Sequence, residues 1–118
     1  MTDRRAEREF MPVVSDDLPD GERPMIAVVR ALPGHDVQLA RAIAELAGAV
    51  RREPGCKEFR PFQDAANPGV FYLYEIYDDI EAFRVHLGTA HVAHFFTELE
   101  AHSTADAQAL VQLVELDR

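Results

Sequence analysis

Apolar runs divide the chain into four predicted β-strands. They cover Met25–Leu32, Cys56–Gln63 with an end near Pro61, Val70–Tyr77 and Ala109–Leu116. β-Branched and aromatic residues dominate these runs, and Pro-Gly pairs at 33–34 and 68–69 mark turns beside them.

Apolar residues at helical spacing predict three helices between the strands. The first runs from about Asp36 to Arg52, and a break at Gly88-Thr89 separates the other two. Their apolar stripes are Leu39, Ile43, Leu46 and Val50, then Ile80, Phe83 and Leu87, then Val92, Phe95, Phe96 and Leu99. The order β-α-β-β-α-(α)-β predicts an α+β fold of the ferredoxin-like, split βαβ type, with helices on one face of an antiparallel sheet.

Residues 1–24 differ in composition from the rest and are predicted to be an N-terminal extension of a domain covering residues 25–118. Charged residues, Pro and Gly interrupt any regular element there. The short apolar patch Phe10–Val14 allows two interpretations. The extension is either a mobile tail or an arm that lays this patch on a neighbouring subunit.

The charge balance excludes several classes of partner. The 118 residues include 12 Lys and Arg against 21 Asp and Glu, a net charge of −9. Nucleic acid and anionic membranes attract basic surfaces, so neither is an expected partner. No apolar run is long enough to cross a bilayer and no apolar signal segment opens the sequence, so a cytoplasmic protein is expected.

Both faces of the predicted sheet are apolar. In the third strand Phe71, Leu73, Glu75 and Tyr77 share one face, and Val70, Tyr72, Tyr74 and Ile76 share the other. Helices cover only one face, and an exposed apolar face of this size is unusual on a monomer. We therefore expect a homodimer that packs sheet against sheet with two-fold symmetry, the alternative being a cover formed by residues 1–24.

Three sequence motifs resemble the antibiotic biosynthesis monooxygenase (ABM) superfamily. They are EPGC at 53–56, FYLYEIY at 71–77 and HLGTAH at 86–91. The resemblance spans about residues 25–116 and implies a dimeric α+β barrel with a pocket between each sheet and its own helices. Members of the superfamily include quinol monooxygenases and polyketide-anthrone oxygenases, which use dioxygen without metal or flavin. Others are haem-degrading oxygenases and an isomerase of phosphorylated autoinducer-2.

The sequence departs from the family pattern in ways that narrow its function. The family often has Trp at the position of Tyr77, and this chain has no Trp. The haem-degrading branch relies on a strand Trp and an Asn on the first strand, and Met25–Leu32 contains no Asn. Haem degradation is therefore not expected. Ala90 stands where the family commonly has Pro.

Glu75, His86 and His91 are the candidate catalytic residues. Glu75 lies mid-strand among apolar residues, where a buried carboxylate is either paired or protonated, and a raised pKa would suit a general base. The alternative is a structural role, with Glu75 paired to an Arg or bonded to a helix N–H. Either His could bond a substrate carbonyl or shuttle protons, or His91 could brace the helix junction while His86 is partly exposed.

Aromatic residues are the candidate substrate-binding groups. Phe71 and Tyr77 share the face of Glu75, which lines the pocket if it meets the helices and could then stack a flat substrate. Phe59, Phe83 and Phe95 are candidate pocket wall, and each aromatic could equally be ordinary core. His91 and His94 have helical spacing for a metal, but no convincing third ligand follows, so no metal is expected. No phosphate-cradling Gly-rich loop is present, so no nucleotide cofactor is expected.

These features lead to one expected function and two alternatives. The expected function is a cofactor-independent monooxygenase that oxidises a quinol or aromatic polyketide-like substrate with dioxygen. The first alternative is an isomerase of a small hydroxy-carbonyl compound, for which Arg30 and Arg60 are candidate phosphate contacts. The second is a non-catalytic dimer that binds a small ligand, favoured if the pocket is small or filled by Phe95 and Phe96.

Overall fold

A computed structural model describes residues 21–104 and 109–117 of the chain. Its elements are β1 (Arg23–Arg30), α1 (Asp36–Val50), β2 (Cys56–Gln63), β3 (Val70–Tyr77), α2 (Ile80–Leu87), α3 (Ala90–His102) and β4 (Ala109–Gln112). The strands form one antiparallel sheet in the order β2-β3-β1-β4. The α+β, ferredoxin-like prediction is confirmed.

The ends of three elements differ from the prediction. β1 starts at Arg23 and stops at Arg30, and α1 ends at Val50 instead of Arg52. β4 ends at Gln112 instead of Leu116, because the next residue lies opposite Pro24 of β1, which has no amide N–H to donate to the ladder. The Leu113 amide still donates to the carbonyl of Pro24 at 2.9 Å, and then the ladder stops. The predicted extension lies mostly in residues 1–20, outside the described residues.

The central strands β1 and β3 decide which side chains meet the helices. They pair along their full length, with Met25 opposite Glu75, Ala27 opposite Leu73 and Val29 opposite Phe71. All six of these side chains are buried. The face of β3 that carries Glu75 is therefore the face that packs against the helices, and it forms the core with α1, α2 and α3.

The opposite face of the sheet is apolar and partly exposed. Tyr72, Tyr74 and Ile76 of β3 point to this side and are only half-buried. Near the two edges, Phe62 is 46% exposed and Val111 is 48% exposed. The helices of the described chain pack on the other face, so this surface has no cover of its own within those residues.

Both edges of the sheet are unusual for different reasons. Pro61 lies inside the edge strand β2, opposite Leu73, where its missing amide N–H is tolerated. β2 also has a register shift between Cys56 and Glu58. At the other edge, β4 contains only four residues.

Gly55 allows α2 to approach the start of β2 closely. A Cβ atom at this position would lie 2.5 Å from the Cβ of Ala82 in α2. The Gly55 carbonyl also accepts a hydrogen bond from the Asp78 amide at 2.9 Å. The absent side chain therefore sets the distance between α2 and the turn that precedes β2.

We predict that Gly55→Ala destabilises the protein by about 1–3 kcal/mol, because the added methyl group overpacks the contact with Ala82. Gly48→Ala in α1 is the matched control, since a Cβ there meets nothing within 4 Å. It should stabilise by about 0.5–1 kcal/mol through better helix propensity. Chemical unfolding of both variants measures this difference, and equal effects would contradict the predicted contact.

Candidate active site

The turn after α1 places Glu53 beneath the two short helices. The Glu53 amide donates to the carbonyl of Val50 at 2.9 Å, and the Cys56 amide donates to the carbonyl of Glu53 at 3.1 Å. These two bonds close consecutive turns, so the chain reverses within residues 51–56 and enters β2. The Glu53 side chain is only 9% exposed as a result.

Capping interactions fix the junction of α2 and α3. Asp79 accepts a hydrogen bond from the Ala82 amide at 2.8 Å and so caps the N-terminus of α2. The Thr89 hydroxyl donates to the His86 carbonyl at 2.8 Å and accepts from the Val92 amide at 3.3 Å. His86 therefore ends one helix while His91 begins the next, and both face the same turn.

One oxygen of Glu53 joins the two histidines. Glu53 Oε2 lies 2.9 Å from His86 Nδ1 and 2.6 Å from His91 Nε2. The other ring nitrogen of His86, Nε2, lies 3.9 Å from Oε1 of Glu75. The Tyr77 hydroxyl donates to that same Glu75 oxygen at 2.5 Å. These four groups and Tyr77 lie in a row of polar side chains inside an otherwise apolar region, which we call the Glu–His chain.

Burial sets the protonation states along the Glu–His chain. Desolvation raises the pKa of Glu75 to about 7, against the opposing effect of the Tyr77 hydrogen bond, and the nearby Glu53 raises it further. Burial lowers the pKa of His86 in spite of its bond to Glu53. Burial and the charge of Glu75 raise the pKa of Tyr77, which therefore keeps its proton. Glu75 is thus a carboxyl group that can change protonation near neutral pH.

The inner end of the Glu–His chain faces a small apolar cavity between the sheet and the helices. Its volume is about 40 Å³. Glu75 and His86 supply the charged groups of a lining that is otherwise apolar. The apolar lining consists of Ala27, Leu46, Phe59, Leu73, Phe83, Leu87, Val92, Phe95, Phe96 and Leu110.

The outer end of the Glu–His chain faces solvent. His91 is 28% exposed, and it lines an open surface groove of about 620 Å³ together with Glu53. Arg52, Val85 and Thr89 also border this groove. Glu53 and His91 therefore contact the outside of the protein, while Glu75 and His86 contact the interior cavity.

Comparison with known proteins identifies the family. The sequence profile described as antibiotic biosynthesis monooxygenase matches residues 25–98, more than half of the chain. The chain belongs to this family. The resemblance inferred from the three motifs is confirmed.

Solved structures of other proteins share the fold of this chain. The protein PA3566 of Pseudomonas aeruginosa is 29% identical with a TM-score of 0.76, and the match covers 84% of this chain and 97% of that one. The protein Rv0793 of Mycobacterium tuberculosis is 23% identical with a TM-score of 0.75, covering 82% and 97%. The second match supports the fold alone. No functionally curated protein matches this sequence.

The ABM protein brings some of the predicted site residues together and separates others. Glu75, His86, Phe59, Phe83 and Phe95 all line the interior cavity. Three further candidates lie outside its lining. Phe71 is part of the main core, and Tyr77 packs with Met25 and Phe83 while bonding Glu75. His91 lies on the groove side.

One alternative considered for the histidines is wrong. His86 is not partly exposed but 7% exposed, and its ring packs against Tyr77 with a centroid distance of 4.8 Å. His94 lies apart from the site, since its side chain is 59% exposed and lies 3.6 Å from Glu98. The two histidines therefore have different partners: His91 contacts Glu53, and His94 contacts Glu98 on the surface.

Glu53 is the residue that sequence reasoning missed. It belongs to the EPGC motif, which contributes to the resemblance to the ABM superfamily, but it is not among the candidate site residues that the sequence indicates. The signal was an acidic residue directly before Pro-Gly, at the end of a helix where a negative charge opposes the helix dipole. Such a placement is unfavourable unless the carboxylate has a specific partner, which here is a pair of histidines.

Among the residues that the structure describes, Glu53, His86 and His91 form a group whose ligand atoms lie close enough together to hold a metal ion. The ligand atoms of Glu53, His86 and His91 all lie within 4.8 Å of one another. Tetrahedral zinc ligands at 2.0–2.1 Å from the ion are about 3.3 Å apart. The shorter distances of 2.6 and 2.9 Å found here are those of direct hydrogen bonds.

In the described part of the chain, no helix is long and apolar enough to span a membrane.

We predict a pH-dependent stability that comes from Glu75. Its pKa is raised from 4.5 to about 7 in the folded protein, so the folded state binds more protons in this interval than the unfolded state. This contribution is fully present below pH 4.5 and is lost as the pH rises through 7. At about 1.4 kcal/mol per pH unit, the loss amounts to roughly 3 kcal/mol.

Glu75→Gln tests this prediction, because a neutral amide mimics the protonated carboxyl and can still accept from Tyr77. The variant should gain roughly 3 kcal/mol relative to wild type between about pH 4.5 and 8. The lowered pKa of His86 has the opposite effect on the free energy of unfolding, which it reduces below pH 6.5. Because His86 is present in both proteins, this effect cancels in the comparison. Urea unfolding across this range gives the difference, and parallel curves would disprove a raised Glu75 pKa.

Proposed function

We propose that this ABM protein is a monooxygenase that oxidises a quinol or aromatic polyketide-like phenol with dioxygen, without an added cofactor. The observation that carries the proposal is the Glu75 carboxyl group, which lies in an apolar cavity with a pKa of about 7. A general base is most effective when its pKa is near the working pH. Family membership supports the class of reaction.

The reaction requires a base more than it requires a metal. Glu75 would take the proton of the substrate hydroxyl, and the resulting phenolate is rich enough in electrons to transfer one to dioxygen. The substrate radical and superoxide then combine through a new C–O bond, and the peroxide takes back the proton from Glu75. Loss of water leaves a carbonyl on the product, so one oxygen atom enters the product and the other enters water.

The surrounding residues would orient the substrate and exclude water. Phe59, Phe83 and Phe95 line the cavity and are suited to contact an aromatic ring. Tyr77 would hold the Glu75 carboxylate through its hydroxyl, and Phe71 would support the sheet beneath it. His86 and His91 would act behind the base.

The size of the cavity places a condition on this function. About 40 Å³ accommodates one water molecule or a dioxygen molecule, but not an aromatic ring. Phe96 and Leu110 are half-buried at its lining, while Phe95 is fully buried. An aromatic substrate would therefore enter by displacing Phe96 and Leu110.

The small cavity meets the condition given above for the non-catalytic, ligand-binding dimer, and it also favours a second enzymatic function, an isomerase of a small hydroxy-carbonyl compound. Such a substrate needs less space, and Glu75 with His86 offers a carboxyl and an imidazole at one cavity for moving protons between adjacent carbons. This reaction consumes no oxygen. Arg30 and Arg60, the phosphate contacts considered from the sequence, do not line the cavity.

We also propose that the protein is a homodimer joined through the open sheet face. The half-buried Tyr72, Tyr74 and Ile76 and the exposed Phe62 and Val111 make this surface apolar. A second copy would bury it by two-fold symmetry.

We predict oxygen consumption by EDTA-treated protein with quinols or anthrone-like phenols, above the spontaneous rate. Glu75→Gln should lower this rate by about 10²–10⁴-fold, because the amide cannot take a proton. Glu100→Gln on the exposed side of α3 is the matched control and should retain full activity. An oxygen electrode measures the three rates.

Other outcomes of this assay separate the candidates. Exchange of substrate hydrogen with deuterated water, without oxygen uptake and lost in Glu75→Gln, would instead support the isomerase. Neither reaction with any substrate tested would favour the non-catalytic, ligand-binding alternative.

We predict that Val111→Glu converts the dimer to a monomer, because it places a charge in the proposed apolar interface. Val111 is 48% exposed, so the fold of the single chain should tolerate the change. Val85→Glu is the matched control on the helical side, where Val85 is 65% exposed. Sedimentation velocity gives the mass of each variant, and a monomeric wild type would refute the proposed interface.

A further inference from the structure

We infer that His91, Glu53 and His86 form a proton path that connects solvent in the surface groove with the Glu75 carboxyl group. These residues come from three separate segments of the chain, and the structure places them in sequence between outside and inside. The proposed reaction assigns no role to Glu53. The catalytic purpose of the path rests on the proposed function, but the path itself can be tested without substrate.

The outer end of the path is the imidazole of His91. It is 28% exposed, while Glu53 and His86 are 9% and 7% exposed. His91 is therefore the member of the path that solvent reaches most easily, and its Nε2 lies 2.6 Å from Glu53.

The middle of the path is a single carboxylate oxygen between two imidazoles. A proton that arrives at Nε2 of His86 makes the ring cationic, so the ring can release its other proton from Nδ1 to Glu53 Oε2 at 2.9 Å. Glu53 can then pass that proton to Nε2 of His91, whose own Nδ1 proton leaves to water. Each step breaks one N–H or O–H bond and forms another, so protons and charge balance.

The inner end of the path contains one gap. His86 Nε2 and Glu75 Oε1 are 3.9 Å apart, too far for a direct hydrogen bond. Both residues line the cavity of about 40 Å³, which has room for about one water molecule. A water there, or a small rotation of the His86 ring, would complete the connection.

The other titratable groups that face the path do not take up the proton in place of its members. Tyr77 donates to Glu75 and keeps its proton. Burial and the charges of Glu53 and Glu75 raise the pKa of Cys56 to about 11, so the thiol is not ionised near neutral pH. Among the ion pairs of the described residues, those of Glu53 and Glu75 are with His86 and His91.

The test measures how fast Glu75 gains and loses its proton in the free protein. The infrared carboxyl band that disappears in Glu75→Gln reports Glu75, and a rapid pH jump across its pKa gives the rate. His91→Gln and Glu53→Gln keep polar side chains that cannot carry a proton in this way. Both should slow the change by about 10²-fold. His94→Gln, an exposed histidine of the same helix, should behave like wild type.

Imidazole added to His91→Ala distinguishes a proton carrier from a structural brace. If His91 carries the proton, free imidazole in the groove should restore most of the rate in proportion to its concentration. Wild-type rates in His91→Gln and Glu53→Gln would overturn the proposed path. A slow His91→Ala protein that imidazole fails to restore would overturn it too, since a distorted fold then explains the loss.

This experiment fails independently of the oxygenase assay. A path with the expected rates but no oxygen uptake would leave the proton path standing and reject the oxygenase. Oxygen uptake that depends on Glu75 but not on Glu53 or His91 would support the oxygenase and reject the path.

Discussion

The structure depends on how a carboxylate is kept inside an apolar region. Burying Glu75 without partners would cost several kcal/mol, and the protein reduces this cost with the Tyr77 hydroxyl, with His86 and with a neutral charge state below pH 7. These partners come from β3 and from the end of α2. Because α2 must pack closely to deliver His86, Gly55 and the Asp79 cap are part of the same requirement.

The second requirement is to hold the buried His86. Its ring packs against the rings of Tyr77 and Phe83, at centroid distances of 4.8 and 5.8 Å, and its Nδ1 reaches Glu53. The turn at 53–56 therefore has two tasks, since it ends α1 and also supplies the carboxylate. This explains in physical terms why a short Pro-Gly turn carries an acidic residue.

Local pattern was sufficient for the centre of the fold. The bounds of β3 follow from its aromatic and β-branched run. Because successive side chains of a strand point to opposite faces, Glu75 was expected on the same face as Leu73, and both are buried. The end of β4 could not be predicted in this way, because the ladder stops opposite Pro24 of β1, which has no amide N–H, while the apolar residues Val114 and Leu116 continue beyond it. Strand ends at a sheet edge are properties of the pair.

The candidate site was predictable only in part for a similar reason. A carboxyl group inside a strand indicated Glu75, but the bond between Glu53 and the two histidines joins residues 33 and 38 positions apart. The volume of the cavity depends on how Phe95, Phe96 and Leu110 pack, which no spacing in the sequence encodes. Since one fold supports many activities, these non-local details decide the chemistry.

The edges of the sheet have a consequence for protein handling. Edge strands with long rows of free backbone groups recruit other chains and lead to fibrils. Here Pro61 interrupts one edge, where Lys57, Glu58 and Arg60 add charge, and β4 limits the other edge to four residues. Growth by strand addition is therefore disfavoured at both ends. At high concentration the protein should therefore resist fibril growth, and mutations that lengthen β4 or replace Pro61 are those expected to promote it.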